Sequence, residues 1–262
     1  MVYRSQDRRA KGQTSRPKGA GTDESNADAH VVLAIESQRY EWDWAGAERE
    51  FKRAIELNPD NGDERGYYSW FLPIMGSGDE AVAEAKRGLQ TDPLSTGLNG
   101  NQGSVFVFTH QWDKAIEQLR TSIDLDPNYW FDHYYLGRAY EQKGRFPEAI
   151  AAFKQGVSLA GVTEVWSSLG HVYAVAGKRE EAQKVLDHLK ELSVHEYVAP
   201  YNFAVIYAGL GDKDEAFVWL NSAYQERSYL LTYLTVDERL DNLHSDPRFD
   251  ELLRRVGLPT PK

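Results

Sequence analysis

Tyr129-Trp-Phe-Asp-His-Tyr-Tyr-Leu-Gly-Arg-Ala-Tyr140, followed by Glu141-Gln-Lys-Gly-Arg-Phe-Pro-Glu-Ala-Ile-Ala-Ala-Phe-Lys-Gln-Gly156, is the stretch whose reading decides the fold. It reads as two helices back to back. Leu136, Gly137 and Tyr140 fall on one face of the first. Ala149, Ile150, Phe153 and Gly156 recur at three- and four-residue spacing in the second, the pattern of a single buried stripe. Gly144 suits the end of the first helix, where a positive φ is useful. Pro147 suits the start of the second, where its missing N–H costs nothing. Small Gly137 and Ala149 let the helices approach, and Leu136, Tyr140 and Phe153 fill the space left over. Such a hairpin cannot bury its apolar face alone and needs neighbours of its own kind.

The neighbours are present. Ala47, Ala81, Ala115, Ala149, Ala182 and Ala216 are separated by 34, 34, 34, 33 and 34 residues. Five residues before each comes the turn, with glycine at Gly76, Gly144, Gly177 and Gly211 and exceptions at Trp42 and His110. Four residues after each stands Phe51, Ala85, Leu119, Phe153, Leu186 or Leu220. Pro59, Pro93 and Pro127 follow the second helices. Gly103, Gly137, Gly170 and Ala204 supply the small residue of the first helices, with Phe106, Tyr140, Tyr173 and Tyr207 three residues on. This pattern resembles the tetratricopeptide repeat. The resemblance implies an all-α, right-handed helical-hairpin solenoid of about six units over residues 28–228. A C-terminal capping segment at 229–262 contains one amphipathic helix through Phe249, Leu252, Leu253 and Val256.

The run from Tyr40 to Pro59 carries a narrower resemblance, shared by Ser245 to Pro259. Both are similar to repeat regions that follow the effector domains of bacterial winged-helix transcription regulators and Ser/Thr protein kinases. That implies a bacterial, cytoplasmic protein and, as an alternative function, a regulatory segment for an effector outside this chain. No Gly-rich phosphate loop, His-Arg-Asp run or winged helix is recognisable here.

Residues 1–27 are of a different composition. Between Met1 and Lys18 six basic residues face one acid, Asp7, with almost no aliphatic side chains. We expect a disordered basic arm or linker. From residue 30 onward, 24 basic residues face 36 acidic ones. Such a surface repels phosphates, so the repeat body should not bind nucleic acid. No stretch approaches the apolar length of a membrane span, and the chain has no cysteine.

The sequence offers no catalytic constellation, no metal centre and no cofactor motif. The histidines are scattered, and His188, Glu191 and His195 fall where a helix should end. We therefore expect a non-enzymatic interaction scaffold that binds a partner protein or peptide along the concave face. Spacing assigns Arg39, Tyr40, Trp70, Tyr134, Arg138, Glu141, His171 and Tyr201 to that groove, with Glu36, Ser167, Phe108 and Phe131 beside them. Aromatic residues and arginine are the usual anchors of such interfaces. A carboxylate clamp of the chaperone-binding kind is not expected, because Gly66, Gly100 and Ser167 stand where it needs polar side chains. The Tyr40, Trp42 and Trp44 cluster is expected to shut the open end of the stack, and Tyr229 to Leu240 to pack across the last repeat.

Overall fold

The computed structural model describes residues 25–260. The basic arm expected over residues 1–27 lies outside them as far as residue 24. Its last residue, Ala27, opens the first helix, which Asn26 caps by accepting from the Ala29 N–H. The described chain folds into helical hairpins: α1 (Ala27–Glu36) with α2 (Trp44–Leu57), α3 (Gly62–Ile74) with α4 (Gly78–Thr91), and α5 (Thr96–Phe108) with α6 (Trp112–Leu125). They continue with α7 (Trp130–Gln142) and α8 (Phe146–Ala160), α9 (Thr163–Val175) and α10 (Arg179–Leu192), and α11 (Pro200–Leu210) with α12 (Lys213–Gln225). Two 3-10 turns, Tyr229–Tyr233 and Glu238–Leu243, lead to α13 (Pro247–Val256). Six stacked hairpins follow from the 34-residue period, as expected.

The hairpin turns explain the two exceptions to glycine. Gly76, Gly144, Gly177 and Gly211 have φ between 69° and 82°, and Trp42 and His110 adopt the same left-handed geometry at 56° and 58°. That conformation costs a residue with a Cβ on the order of 1 kcal/mol. Ring contacts accompany it at both places: Trp42 lies 5.5 Å from Tyr224 and His110 5.0 Å from Trp112. The first hairpin departs from expectation in another way. Its first helix ends at Glu36 instead of Tyr40, and Ser37–Glu41 forms a π-helical turn that re-aims Arg39 and Tyr40.

Small residues set the spacing of the stack. A Cβ on Gly103 would meet the Leu119 side chain at 2.5 Å, one on Gly137 would meet Phe153 at 2.6 Å, and one on Gly170 would meet Ile206 at 2.7 Å. The glycine-rich start of the third hairpin is an unbroken helix, α5. Gly100 is needed there because a Cβ would lie 2.2 Å from Asp132 Oδ1.

The two ends of the stack meet. Trp44 Nε1 donates to the Val256 carbonyl at 3.2 Å, Arg227 donates to the Glu41 carbonyl at 3.3 Å, and the Arg227 guanidinium sits 4.5 Å over the Trp42 ring. The Trp42 and Trp44 cluster thus docks on the C-terminal elements. The stretch from Tyr229 packs on α11 of the last hairpin and reaches beyond it. It turns inward along the concave face, where Thr235 Oγ1 donates to the Ile74 carbonyl and Asn242 Nδ2 to the Ala208 carbonyl. The physical reason is its composition: Leu230, Leu231, Leu234, Val236, Leu240 and Leu243 are all buried there, which removes their apolar surface from water.

Two predictions follow from this packing. Gly137→Ala forces Cβ against Phe153 and should cost about 1–3 kcal/mol. For a chain of this size that lowers Tm by roughly 2–4 °C per kcal/mol, read by differential scanning calorimetry. Asp132 is fully buried, neither of its carboxylate oxygens has a hydrogen-bond partner among the described residues, and burial pushes its pKa up to about 7. The unfolded carboxyl ionises near pH 4 while the folded one stays protonated, so this group's contribution to stability is full in acid and is lost as pH rises toward 7. Asp132→Asn should therefore raise Tm relative to the wild type at pH 8 and change it little at pH 4.5. An equal shift at both pH values would refute the assignment.

Candidate functional site

The concave face is where the sequence placed the groove residues, and the structure brings most of them together there. Tyr134, Arg138 and Glu141 lie on α7, His171 on α9 and Tyr201 on α11. All five are buried. The groove that was expected to be free for a partner is occupied by the segment Tyr229–Leu243 of the same chain.

Arg138 donates from Nε and Nη2 to the Glu238 carboxylate at 2.8 and 2.5 Å, a two-pronged pair. Its guanidinium lies 5.4–5.7 Å from the rings of Phe108, Tyr134 and Tyr135. Asp237 accepts from Arg239 at 2.7 and 2.6 Å and from the Tyr201 hydroxyl at 2.8 Å. Arg239 also donates to Ser168 Oγ at 2.6 Å. Burial by itself would raise the Asp237 pKa, but the guanidiniums of Arg239 and Arg138 overcome it and hold the carboxyl below the ordinary range. Burial and the facing Asp237 push the Tyr201 phenol far up. His171 completes the network, with Nε2 3.2 Å from the Arg239 carbonyl and Nδ1 2.5 Å from Glu141 Oε1.

These are structural contacts. Four leucines of the segment, Leu231, Leu234, Leu240 and Leu243, are 0% exposed. At about 1.5–3 kcal/mol each, their burial is of the same order as the whole stability of a domain. A peptide that displaced the segment would have to offset that, so the segment is an inner layer of the fold. The sequence reading missed Asp237, Glu238 and Arg239. The signal was available: three charged residues inside an otherwise apolar run need buried partners.

The remaining predicted residues line what is left of the groove. Arg39 and Tyr40 project from the π-helical turn, and Trp70 lies on α3 with Nε1 donating to Ser104 Oγ at 2.8 Å. Trp70 stacks on Phe131, their ring centroids 5.4 Å apart. Between these residues and the Tyr229–Tyr233 turn a cavity of about 100 Å³ opens at the surface, lined by Arg39, Trp70, Phe131, Tyr134, Tyr229 and Tyr233. Ser167 is taken by the fold, its Oγ donating to the Asn202 carbonyl at 2.9 Å. His188 lies against Trp166, with 4.4 Å between ring centroids.

Removing one partner of a buried ion pair leaves the other charge uncompensated, at about 3–5 kcal/mol. Arg138→Ala should destabilise by that amount in urea denaturation. Arg138→Met combined with Glu238→Met should recover much of the loss, because no unpaired charge then remains. Arg138, assigned by spacing to an open groove, is instead held in the interior by Glu238.

A family model described as tetratricopeptide repeat matches residues 101–160, the third and fourth hairpins. The TPR repeat-containing protein YpiA of Bacillus subtilis is 27% identical over 173 residues, covering 55% of this chain and 41% of the relative. Tetratricopeptide repeat protein 13 of Homo sapiens is 27% identical over 125 residues, covering 47% and 14%. The chain thus spans less than half the length of these curated relatives. Among solved structures, Pseudomonas aeruginosa pilF superposes with a TM-score of 0.54 at 16% identity, covering 78% of this chain and 93% of that one. The Thermus thermophilus protein TTC0263 gives 0.52 at 17% identity, covering 87% and 99%. The Cut9-Hcn1 assembly gives 0.60 at 17%, covering 89% and 43%. At these identities the structural likeness shows the fold alone. The names of these relatives do not show the narrower resemblance to transcription regulators or kinases. Period, hairpin geometry and the family match agree: residues 101–160 match the tetratricopeptide repeat, and the hairpins on either side share its fold.

Proposed function

We propose that the chain is a non-catalytic protein-interaction scaffold whose partner contacts the mouth of the narrowed groove. The observation that carries this is the convergence of aromatic and arginine side chains from the first helices of several repeats at one surface opening. Arg39 comes from the first hairpin, Trp70 from the second, Phe131 and Tyr134 from the fourth, and Tyr229 and Tyr233 from the C-terminal turn. Such residues carry most of the energy in protein interfaces. The buried carboxylates, histidine and arginines of the concave face are consumed in pairs that hold the fold, which supports a binding role over a chemical one.

The relatives point the same way at a coarser level, since tetratricopeptide repeats serve as protein-interaction scaffolds. Trp70 and Arg39 take the place that Arg138 and Tyr201 held in the sequence reading, because they remain reachable from solvent.

Affinity capture from the native cell identifies the partner, and a titration with the purified partner then tests the site. Trp70→Ala should weaken binding at least tenfold, since truncating a central aromatic anchor costs roughly 2 kcal/mol or more and about 1.4 kcal/mol is one decade. Lys154→Ala on the outer face of α8 should leave the Kd unchanged. A Trp70→Ala variant that folds normally and binds with wild-type Kd would place the partner site off the mouth.

A further inference from the structure

At the mouth, among the described residues, Arg39 is the cation that no carboxylate pairs. Arg138 is paired with Glu238 and Arg239 with Asp237. Arg39 forms no ion pair among the described residues. Around it stand phenols, those of Tyr233, Tyr229 and Tyr40, and its guanidinium lies 5.3 Å from the centre of the Tyr229 ring. The other charged groups facing the cavity are Glu164, Asp237, Arg138 and Arg239. Glu164 already accepts from the Tyr229 hydroxyl at 2.5 Å and from Thr163 at 3.2 Å. Arg39 also sits in the π-helical turn Ser37–Glu41, and single π turns inside helical stretches recur at functional sites.

We propose that the mouth accepts an acidic side chain of a partner protein, inserted beside an aromatic residue that stacks on the Trp70–Phe131 platform, with Arg39 pairing to the carboxylate. This rests on the mouth being the partner site. The size of the cavity decides what enters. About 100 Å³ is room for one carboxylate-bearing side chain, with the aromatic neighbour at the rim. The concave face already shows the same chemistry within the chain. Two bonds from one guanidinium hold Glu238, and the rings of Phe108, Tyr134 and Tyr135 flank that guanidinium. Arg39 offers the same charge and aromatic surroundings with the carboxylate still to come from outside.

The chain's formal net charge is -10, so an acidic partner approaches against the overall field. That repulsion is screened beyond a Debye length of about 8 Å at physiological salt, whereas a pair formed inside the mouth is screened much less. Raising the salt should therefore leave binding intact or improve it, opposite to a surface ion pair.

The test uses the full chain and four short peptides, acetylated at the N-terminus, followed through tryptophan fluorescence. Gly-Phe-Glu-Gly amide carries the internal acid and Gly-Phe-Gln-Gly amide its neutral isostere. Gly-Phe-Lys-Gly amide reverses the charge, and Gly-Gly-Phe with a free terminus presents a terminal carboxylate. The Glu peptide should bind saturably and at least tenfold more tightly than the Gln peptide. Arg39→Gln should abolish that preference, and Arg39→Lys should keep part of it, with circular dichroism confirming that both variants are folded. Absence of saturable binding of the Glu peptide up to millimolar concentration overturns the proposal. So does equal binding of the Gln or Lys peptide, an Arg39→Gln variant that retains the preference, or tighter binding of the free terminus. Trp70→Ala separates this from failure of the site itself. If that change weakens the partner while Glu and Gln peptides bind alike, the mouth stands and the charge assignment falls. If Trp70→Ala alters neither partner nor peptide binding, both fall.

Discussion

The pairing of Arg138 with Glu238 is the interaction on which the rest of the arrangement depends. It joins the middle of the stack to a residue one hundred positions further along the chain, inside a shell from which water is excluded. Two charges taken out of water are costly unless both are paired and hydrogen-bonded. Here the second prong, the neighbouring Asp237–Arg239 pair, the Tyr201 hydroxyl and the His171 contact leave few charges uncompensated. Such a network adds less to net stability than the leucines around it. Its effect is on register: only one placement of the segment puts Asp237, Glu238 and Arg239 opposite their partners.

That placement changes what the concave side of the stack is. In an open solenoid the first helices present a groove to solvent. Here Leu231, Leu234, Leu240 and Leu243 fill it, and the groove becomes a second core layered on the first. The contacts of Trp42 and Trp44 with Tyr224 and Val256 then join the first hairpin to the last elements. An array that contacts only nearest neighbours can fray from either end. Tying the ends together removes that freedom, and what remains for recognition is a small aromatic opening at the seam.

The spacing of the hairpins is controlled by absence of side-chain volume. Gly103, Gly137 and Gly170 each sit where a methyl group would collide with a core side chain. Gly100 serves a different purpose, admitting the buried Asp132 carboxyl between α5 and α7. Burial raises the pKa of that carboxyl and makes it a source of pH dependence in the interior.

The sequence alone determined the repeat. Alanines 34 residues apart, glycines before them and large apolar residues after them specify hairpins, because each position answers to a neighbour within the same hairpin or the next. The same spacing assigned Tyr134, Arg138, Glu141, His171 and Tyr201 to one groove, and all five are buried in the fold. Only the tertiary structure decided what faces them there. The segment Tyr229–Leu243 has no repeat and no regular helical period, so its local pattern does not state which surface covers it. Its partners lie far along the chain, as between Thr235 and Ile74 or Tyr229 and Arg39. Burial of its leucines selects the concave side, and the complementary charges of Arg138 and Asp237–Arg239 fix its position there. The periodic code fixes contacts between adjacent repeats; a contact across the whole superhelix depends on how far the stack curves, which the folded chain alone sets.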